Sequence, residues 1–208
     1  MMPASTADAG NVNTNMLNFS QQQYKQKTDE QLLSAYADGE QKAFEILYRR
    51  HCDALYRFLL RQCNQQTELC DEVFQDVWMN IVRKRHQFRG EARFSNYLYQ
   101  VARNKVIDHA RLAISHHASQ HDTDSDSLQA NSNQQPESQS QLAICIELLQ
   151  QMILQLPAEQ REVFVLKQET EHNLEELADI LQTSFETIKS RLRYAMNKLR
   201  EWLPRDCL

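Results

Sequence analysis

The 26 residues from His116 to Gln141, HHASQHDTDSDSLQANSNQQPESQSQ, contain a single leucine and no other large apolar side chain. A stretch of that composition cannot bury enough apolar surface to offset the entropy of ordering it. The chain is therefore expected to fold as two bodies, near residues 28–115 and 142–208, joined by 116–141 as a flexible linker. Residues 1–27, rich in Asn and Gln, read as a loose leader. Three Gly and four Pro in 208 residues leave few of the breakers that short strands and tight turns use, so the expected class is all-α.

Apolar spacing fills in the helices. Thr28 with Gln31 three positions on has the form of a capping box, and Leu32, Leu33 and Tyr36 follow at helical intervals. Phe44, Leu47, Leu55, Phe58 and Leu59 predict a second helix, and Val73, Val77 and Ile81 a third. Gly90 interrupts the pattern. Tyr97, Leu98, Val101, Ala102 and Val106 then restart it in a fourth helix running to about Ile114. In the other body Leu142 to Leu156 is apolar at helical spacing, and a new helix can begin at Pro157. Asn173, with Glu176 three residues later, reads as the cap of a short helix from Leu174 to Leu181. Ser184 caps a longer one carrying Ile188, Leu192, Ala195 and Leu199. Short helix, tight turn and longer helix form a helix-turn-helix signature.

Several function classes fall away. No run approaches the 18 apolar residues of a membrane span, and the polar start lacks the order of a signal peptide, so a cytoplasmic chain without membrane insertion is expected. Cys52, Cys63, Cys70, Cys145 and Cys207 form an odd set with no C-x-x-C, and free thiols are the default. His116, His117 and His121 begin the linker-like stretch, where ligands are not fixed in space, so no metal site is expected, and no cofactor. Glycine-rich phosphate loops, G-x-S-x-G and H-E-x-x-H are absent, which argues against an enzyme.

A formal net charge of −5 conceals two basic islands. Residues 83–111 carry eight Arg and Lys against Glu91 and Asp108 alone, whereas 28–82 are net acidic; residues 185–200 hold Lys189, Arg191, Arg193, Lys198 and Arg200 against Glu186. A basic recognition-type helix suits phosphate attraction and major-groove reading. The first island also interleaves Phe88, Phe94, Tyr97 and Tyr99 with Arg89, Arg93 and Arg103. Unpaired bases stack on aromatic faces at roughly 1–3 kcal/mol per base, so this stretch suits melted single strand. Spacing at three and four also serves a core, and about half of these four aromatics are expected there.

These residues carry a resemblance. Leu55-Tyr56-Arg57-Phe58, Glu72-Val73-Phe74-Gln75-Asp76, Phe88-Arg89-Gly90, Tyr97-Leu98-Tyr99 with Ala102-Arg103-Asn104, and Ile107-Asp108-His109 are similar to the second domain of the extracytoplasmic-function sigma factors of bacterial RNA polymerase, group IV of the sigma-70 family. Leu156-Pro157, Arg161, Glu175-Glu176-Leu177-Ala178 and Thr187-Ile188-Lys189-Ser190-Arg191-Leu192 resemble their fourth. The resemblance implies a four-helix sigma domain 2 and a helix-turn-helix sigma domain 4. It implies a factor that directs core polymerase to promoters, of stress- or envelope-responsive genes, with no catalytic activity of its own.

On that resemblance Glu72, Gln75 and Asp76 dock on the clamp helices of the polymerase's largest subunit, and domain 4 meets the flap region. Phe88, Arg89, Arg93, Phe94, Tyr97, Arg103, Asn104, Lys105 and Asp108 face the minus-ten single strand. Asn104 contacts the flipped base, and the loop through Gly90 shapes its pocket. Lys189, Ser190 and Arg193 read the minus-35 element, with Arg191 on phosphate. Gln182 stands where many members have Gly, and Arg193 where one branch has an aromatic. An anti-sigma partner is also implied. A carboxylate at Asp108 equally suits holding Arg111 or Lys105. The alternative reading is a free-standing helix-turn-helix regulator, which needs neither a single-strand surface nor an acidic docking cluster.

Overall fold

The computed structural model describes residue 24 and residues 26–90, 92–119 and 141–207, apart from the side chains at 114–119 and 205. Its first half holds α1 (Asp29–Ala37), α2 (Gln41–Gln62), α3 (Thr67–Lys84) and α4 (Phe94–Ser119); the second holds α5 (Gln141–Gln155), α6 (Ala158–Glu169), α7 (Leu174–Leu181) and α8 (Phe185–Trp202). Among the described residues there is no strand, and no helix is long and apolar enough to cross a membrane. The fourth helix extends through Ser119, beyond the end expected near Ile114 and into the start of the expected linker. Residues 120–140 of that linker lie outside the described residues, as do the side chains of His116 and His117 and all of His121.

Helix starts follow local chemistry. Thr28 Oγ1 accepts from the Gln31 N–H at 3.3 Å while Gln31 Oε1 accepts from the Thr28 N–H at 3.0 Å, a complete capping box. Asn173 and Glu176 close a second box ahead of α7 at 2.8 and 2.9 Å. Ser184 Oγ accepts from the Thr187 N–H at the start of α8. Each such cap contributes about 1 kcal/mol. At the C-terminus of α7, Gln182 adopts a left-handed conformation with φ of 51° and ψ of 48°. A residue with a Cβ pays for that geometry, and glycine does not.

In the first half the apolar stripes of α2 and α3 meet. Leu47, Leu55, Phe58 and Leu59 are buried with Val73, Val77 and Ile81, and Phe94, Leu98, Tyr99 and Ala102 of α4 complete that core. An aromatic run lies beside it: Tyr48 packs on Trp78 at 4.8 Å and on Phe74 at 6.2 Å, and Phe74 reaches Tyr56 at 5.5 Å. The second half buries Val163, Val165 and Leu166 of α6 against Leu177, Ile180 and Leu181 of α7 and Ile188, Ala195 and Leu199 of α8.

The two halves do not stand apart. α2 packs on α6 and α4 on α7, so the buried side chains form one continuous cluster. Polar groups stitch this seam. Glu169 of α6 receives both Arg57 Nε at 2.6 Å and Arg61 Nη1 from α2. Arg103 Nε of α4 lies 3.1 Å from Glu162 Oε1, and Arg93 Nη1 lies 2.9 Å from Glu176 Oε1. Gln100 Nε2 donates to the Asp179 carbonyl at 3.0 Å. Arg161, buried in α6, donates through Nη1 to Asn64 Oδ1 at 2.7 Å and to the Leu154 carbonyl at 3.0 Å. His172 is buried in the seam with Nε2 at 2.9 Å from Ser95 Oγ and its ring edge-on to Tyr99.

The cysteines correct one expectation. Cys52, Cys63 and Cys70 are free, but Cys145 of α5 and Cys207 near the C-terminus are joined by a disulfide, with Cα atoms 5.5 Å apart. An odd cysteine count cannot reveal which two meet, and the closed loop spans a sequence separation of 62. On the chain-entropy account a loop of that length restricts the unfolded state by about 4 kcal/mol.

The backbone at Gln182 gives a direct test. Gln182→Gly is expected to raise unfolding free energy by about 1 kcal/mol in urea titrations, because the left-handed residue no longer carries a Cβ; an unchanged or lowered midpoint would refute that reading of the turn.

Candidate nucleic-acid interface

The loop between α3 and α4 turns at Gly90, whose φ of +72° suits glycine. It opens onto a cleft of about 680 Å³ between the halves, lined on the first-half side by Phe88, Arg89, Asn96 and Tyr97 and on the other by Asp179 and Gln182. Phe88 and Tyr97 are half-buried with ring centroids 5.5 Å apart, so each leaves part of its surface to the cleft. Arg89 is exposed on its rim. The two rings pack on each other, so a planar base can stack on their exposed outer surface with Arg89 nearby, but not between them.

The other two aromatics of the stretch belong to the core. Phe94 is fully buried, its ring facing His51 at 5.3 Å and its backbone N–H donating to Glu30 Oε1 at 2.8 Å. It cannot meet a strand while the half is folded, and its assignment to the single-strand surface is corrected. Tyr99 is buried against Phe58 at 5.4 Å, and burial drives its phenol well above the usual tyrosine range.

The cations expected on the same surface are largely engaged. Arg93 and Arg103 meet Glu176 and Glu162 across the seam. Burial pushes the Glu162 carboxyl up, and the neighbouring Arg103 only partly offsets it. Lys105 Nζ lies 3.1 Å from Asp76 Oδ2, so a residue assigned to the strand and one assigned to polymerase docking hold each other. That hydrogen bond, aided by His109 at 3.5 Å, keeps Asp76 below the usual carboxylate range. The sequence offered Asp108 as a partner for Lys105, and the structure gives Lys105 the Asp76 carboxylate instead. Glu72 and Gln75 are exposed on α3 beside this pair, and Glu72 lies 4.0 Å from His109 Nδ1. Asn104 and Asp108 are exposed one turn apart on α4, and Asp108 is 4.0 Å from Arg111.

On α8 the basic face is open. Lys189 and Arg193 are exposed and Ser190 is half-buried. Arg193 lies 5.2 Å over the ring of Tyr194. Arg191 is half-buried and paired with Glu159 of α6, so a phosphate contact there would have to displace that exposed carboxylate.

Sequence reasoning missed Asn96, Gln100, His172 and Tyr194. Asn96 is buried in the wall of the cleft, with Oδ1 unpartnered beneath its surface. Asn96, Gln100 and Arg103 recur at intervals of four and three, so one polar stripe on α4 was the available signal. The exposed Tyr194 sits beside Arg193 on the open face of α8.

Residues 47–113 match the family model for Sigma-70 region 2, and residues 152–201 that for Sigma-70, region 4. The chain is 26% identical over 178 residues to the ECF RNA polymerase sigma factor SigM of Mycobacterium tuberculosis, covering 86% of each chain. It is 27% identical over 174 residues to the ECF RNA polymerase sigma factor SigW of Bacillus subtilis, covering 79% of this chain and 91% of that one. Among solved structures it resembles the sigma factor RpoE of Bartonella quintana in complex with the anti-sigma factor NepR, with a TM-score of 0.63 and 23% identity over 78% of this chain and 97% of that one.

The buried imidazole at the seam gives a pH test. Burial lowers the His172 pKa, so the folded chain favours its neutral form. The stability this supplies is present above the ordinary imidazole pKa of about 6.5 and falls as pH drops through it. Denaturation midpoints at pH 7.5 and 5.5 are expected to fall further for the wild type than for His172→Gln, and equal falls would count against it.

Proposed function

The chain belongs to the extracytoplasmic-function sigma factors of the sigma-70 family and acts in transcription initiation, and from that premise we propose how its residues divide the work. Glu72 and Gln75, with Asp76 released from Lys105, dock the first half on a basic surface of core RNA polymerase. Acidic groups on an exposed helix face guide such an encounter and set its register. Phe88, Tyr97 and Arg89 hold a base of the minus-ten element extruded from the duplex, and Asn104 reads an edge with its paired donor and acceptor. Lys189, Ser190 and Arg193 enter the major groove at the minus-35 element.

One observation carries this reading: the first-half wall of the cleft, with half-buried Phe88 and Tyr97 and exposed Arg89, belongs to the same half as the exposed acidic face of α3. A free-standing regulator needs only an exposed helix such as α8 and has no use for that pairing. The factor initiates transcription by positioning polymerase and DNA, with no chemistry of its own, in the cytoplasm where polymerase works. The Bartonella sigma factor was solved with an anti-sigma factor, and a protein of that kind is proposed as a partner here.

Mixed with bacterial core polymerase lacking sigma, the wild type is expected to co-elute with it on size exclusion, and Asp76→Arg to lose co-elution at least tenfold in apparent affinity, about 1.4 kcal/mol. Tight duplex binding by a chain that never joins the polymerase would overturn the docking assignment.

A further inference from the structure

We propose that the seam between the halves is an intramolecular latch in which carboxylates of the second half occupy the nucleic-acid face of the first. The inference rests on the reading of that face given above and adds its regulation. Among the described residues, every charged pair across the seam has the same polarity: Arg57, Arg61, Arg93 and Arg103 come from the first half, and Glu162, Glu169 and Glu176 from the second. Two of these cations, Arg93 and Arg103, border the cleft's stripe on α4, and Gln100 between them is held by the Asp179 carbonyl. Asp179 and Gln182 wall the cleft itself.

Carboxylate oxygens thus sit where phosphate oxygens of a strand would sit, on groups suited to both. The carboxylates are the better buried partners: Glu169 keeps 9% of its side-chain surface exposed, and Glu162 and Glu176 keep 15%. Buried carboxylates held by matching charges form a definite arrangement, because leaving such a carboxylate buried and unpaired is costly, whereas Arg57 and Arg93 are largely exposed. By contrast α8 packs on its own half, and Lys189 and Arg193 remain exposed. The latch therefore silences the single-strand face while leaving the duplex-reading helix open, and it does so without a second protein.

The test uses the full chain with Glu162→Gln, Glu169→Gln and Glu176→Gln combined. Glutamine keeps the shape and can still accept the Asn173 N–H in the capping box. A control carries Glu68→Gln, Glu147→Gln and Glu201→Gln, three exposed positions with the same change in net charge. Small-angle scattering reports compactness, and fluorescence anisotropy reports binding to mixed-sequence single-stranded DNA of about 20 nucleotides. The latch variant is expected to expand and to bind the strand about tenfold more tightly than the control, with a salt dependence steeper by about 0.7 per released cation. A variant as compact as the wild type, or a gain in affinity matched by the control, overturns the latch. Circular dichroism checks folding, and if the triple variant unfolds, Glu176→Gln against Glu147→Gln makes the same comparison. Co-elution with core polymerase is measured on the same samples. A wild type that fails to join polymerase overturns the docking assignment, whereas unchanged compactness in a chain that does join it overturns the latch alone.

Discussion

A carboxylate buried at Glu169 would be untenable without Arg57 and Arg61, and much else in the molecule follows from that pairing. It fixes α6 against α2, which brings α7 over α4 and sets Asp179 and Gln182 opposite Phe88 and Tyr97. The cleft between the halves is a product of this placement. So is the burial of His172, which has one hydrogen bond at Nε2 and an unpartnered Nδ1.

The docking face and the strand face are closer to one system than their separate roles suggest. Lys105 and His109 of α4 lean on Asp76 of α3, so the helix proposed to meet DNA and the helix proposed to meet polymerase share counterions. A polymerase surface supplying its own cations to Asp76 would return Lys105 to solvent on the nucleic-acid side. On the proposed assignments, docking on one face would unmask a positive charge on the other, a local electrostatic coupling between two contacts.

What was legible in the sequence was what lies close along it. Thr28, Asn173 and Ser184 announce their helices because a cap and its amide are three residues apart. The helix-turn-helix followed from the same local logic, although Gln182 in the left-handed position departs from the expected glycine. The basic and aromatic stretch was visible as composition, but its division was not: Phe94 and Tyr99 point into the core and Phe88 and Tyr97 toward the cleft, a matter of helix phase set by what α4 packs against. The seam was invisible. Arg57 and Glu169 are 112 positions apart and Arg103 and Glu162 are 59 apart, and each looks in sequence like one more surface charge. The polar tract between the halves argued for two bodies, and its composition sets no rule against the helices on either side of it packing together.

The double occupation of Glu176 has a mechanical meaning. One oxygen, Oε2, holds the Asn173 amide and so the first turn of α7; the other, Oε1, holds Arg93. When Arg93 departs, water takes its place at a single oxygen and the helix start is untouched. At this one contact, parting and rejoining under the proposed latch is an exchange of solvent for a neighbour, with no turn of helix to be rewound in either direction.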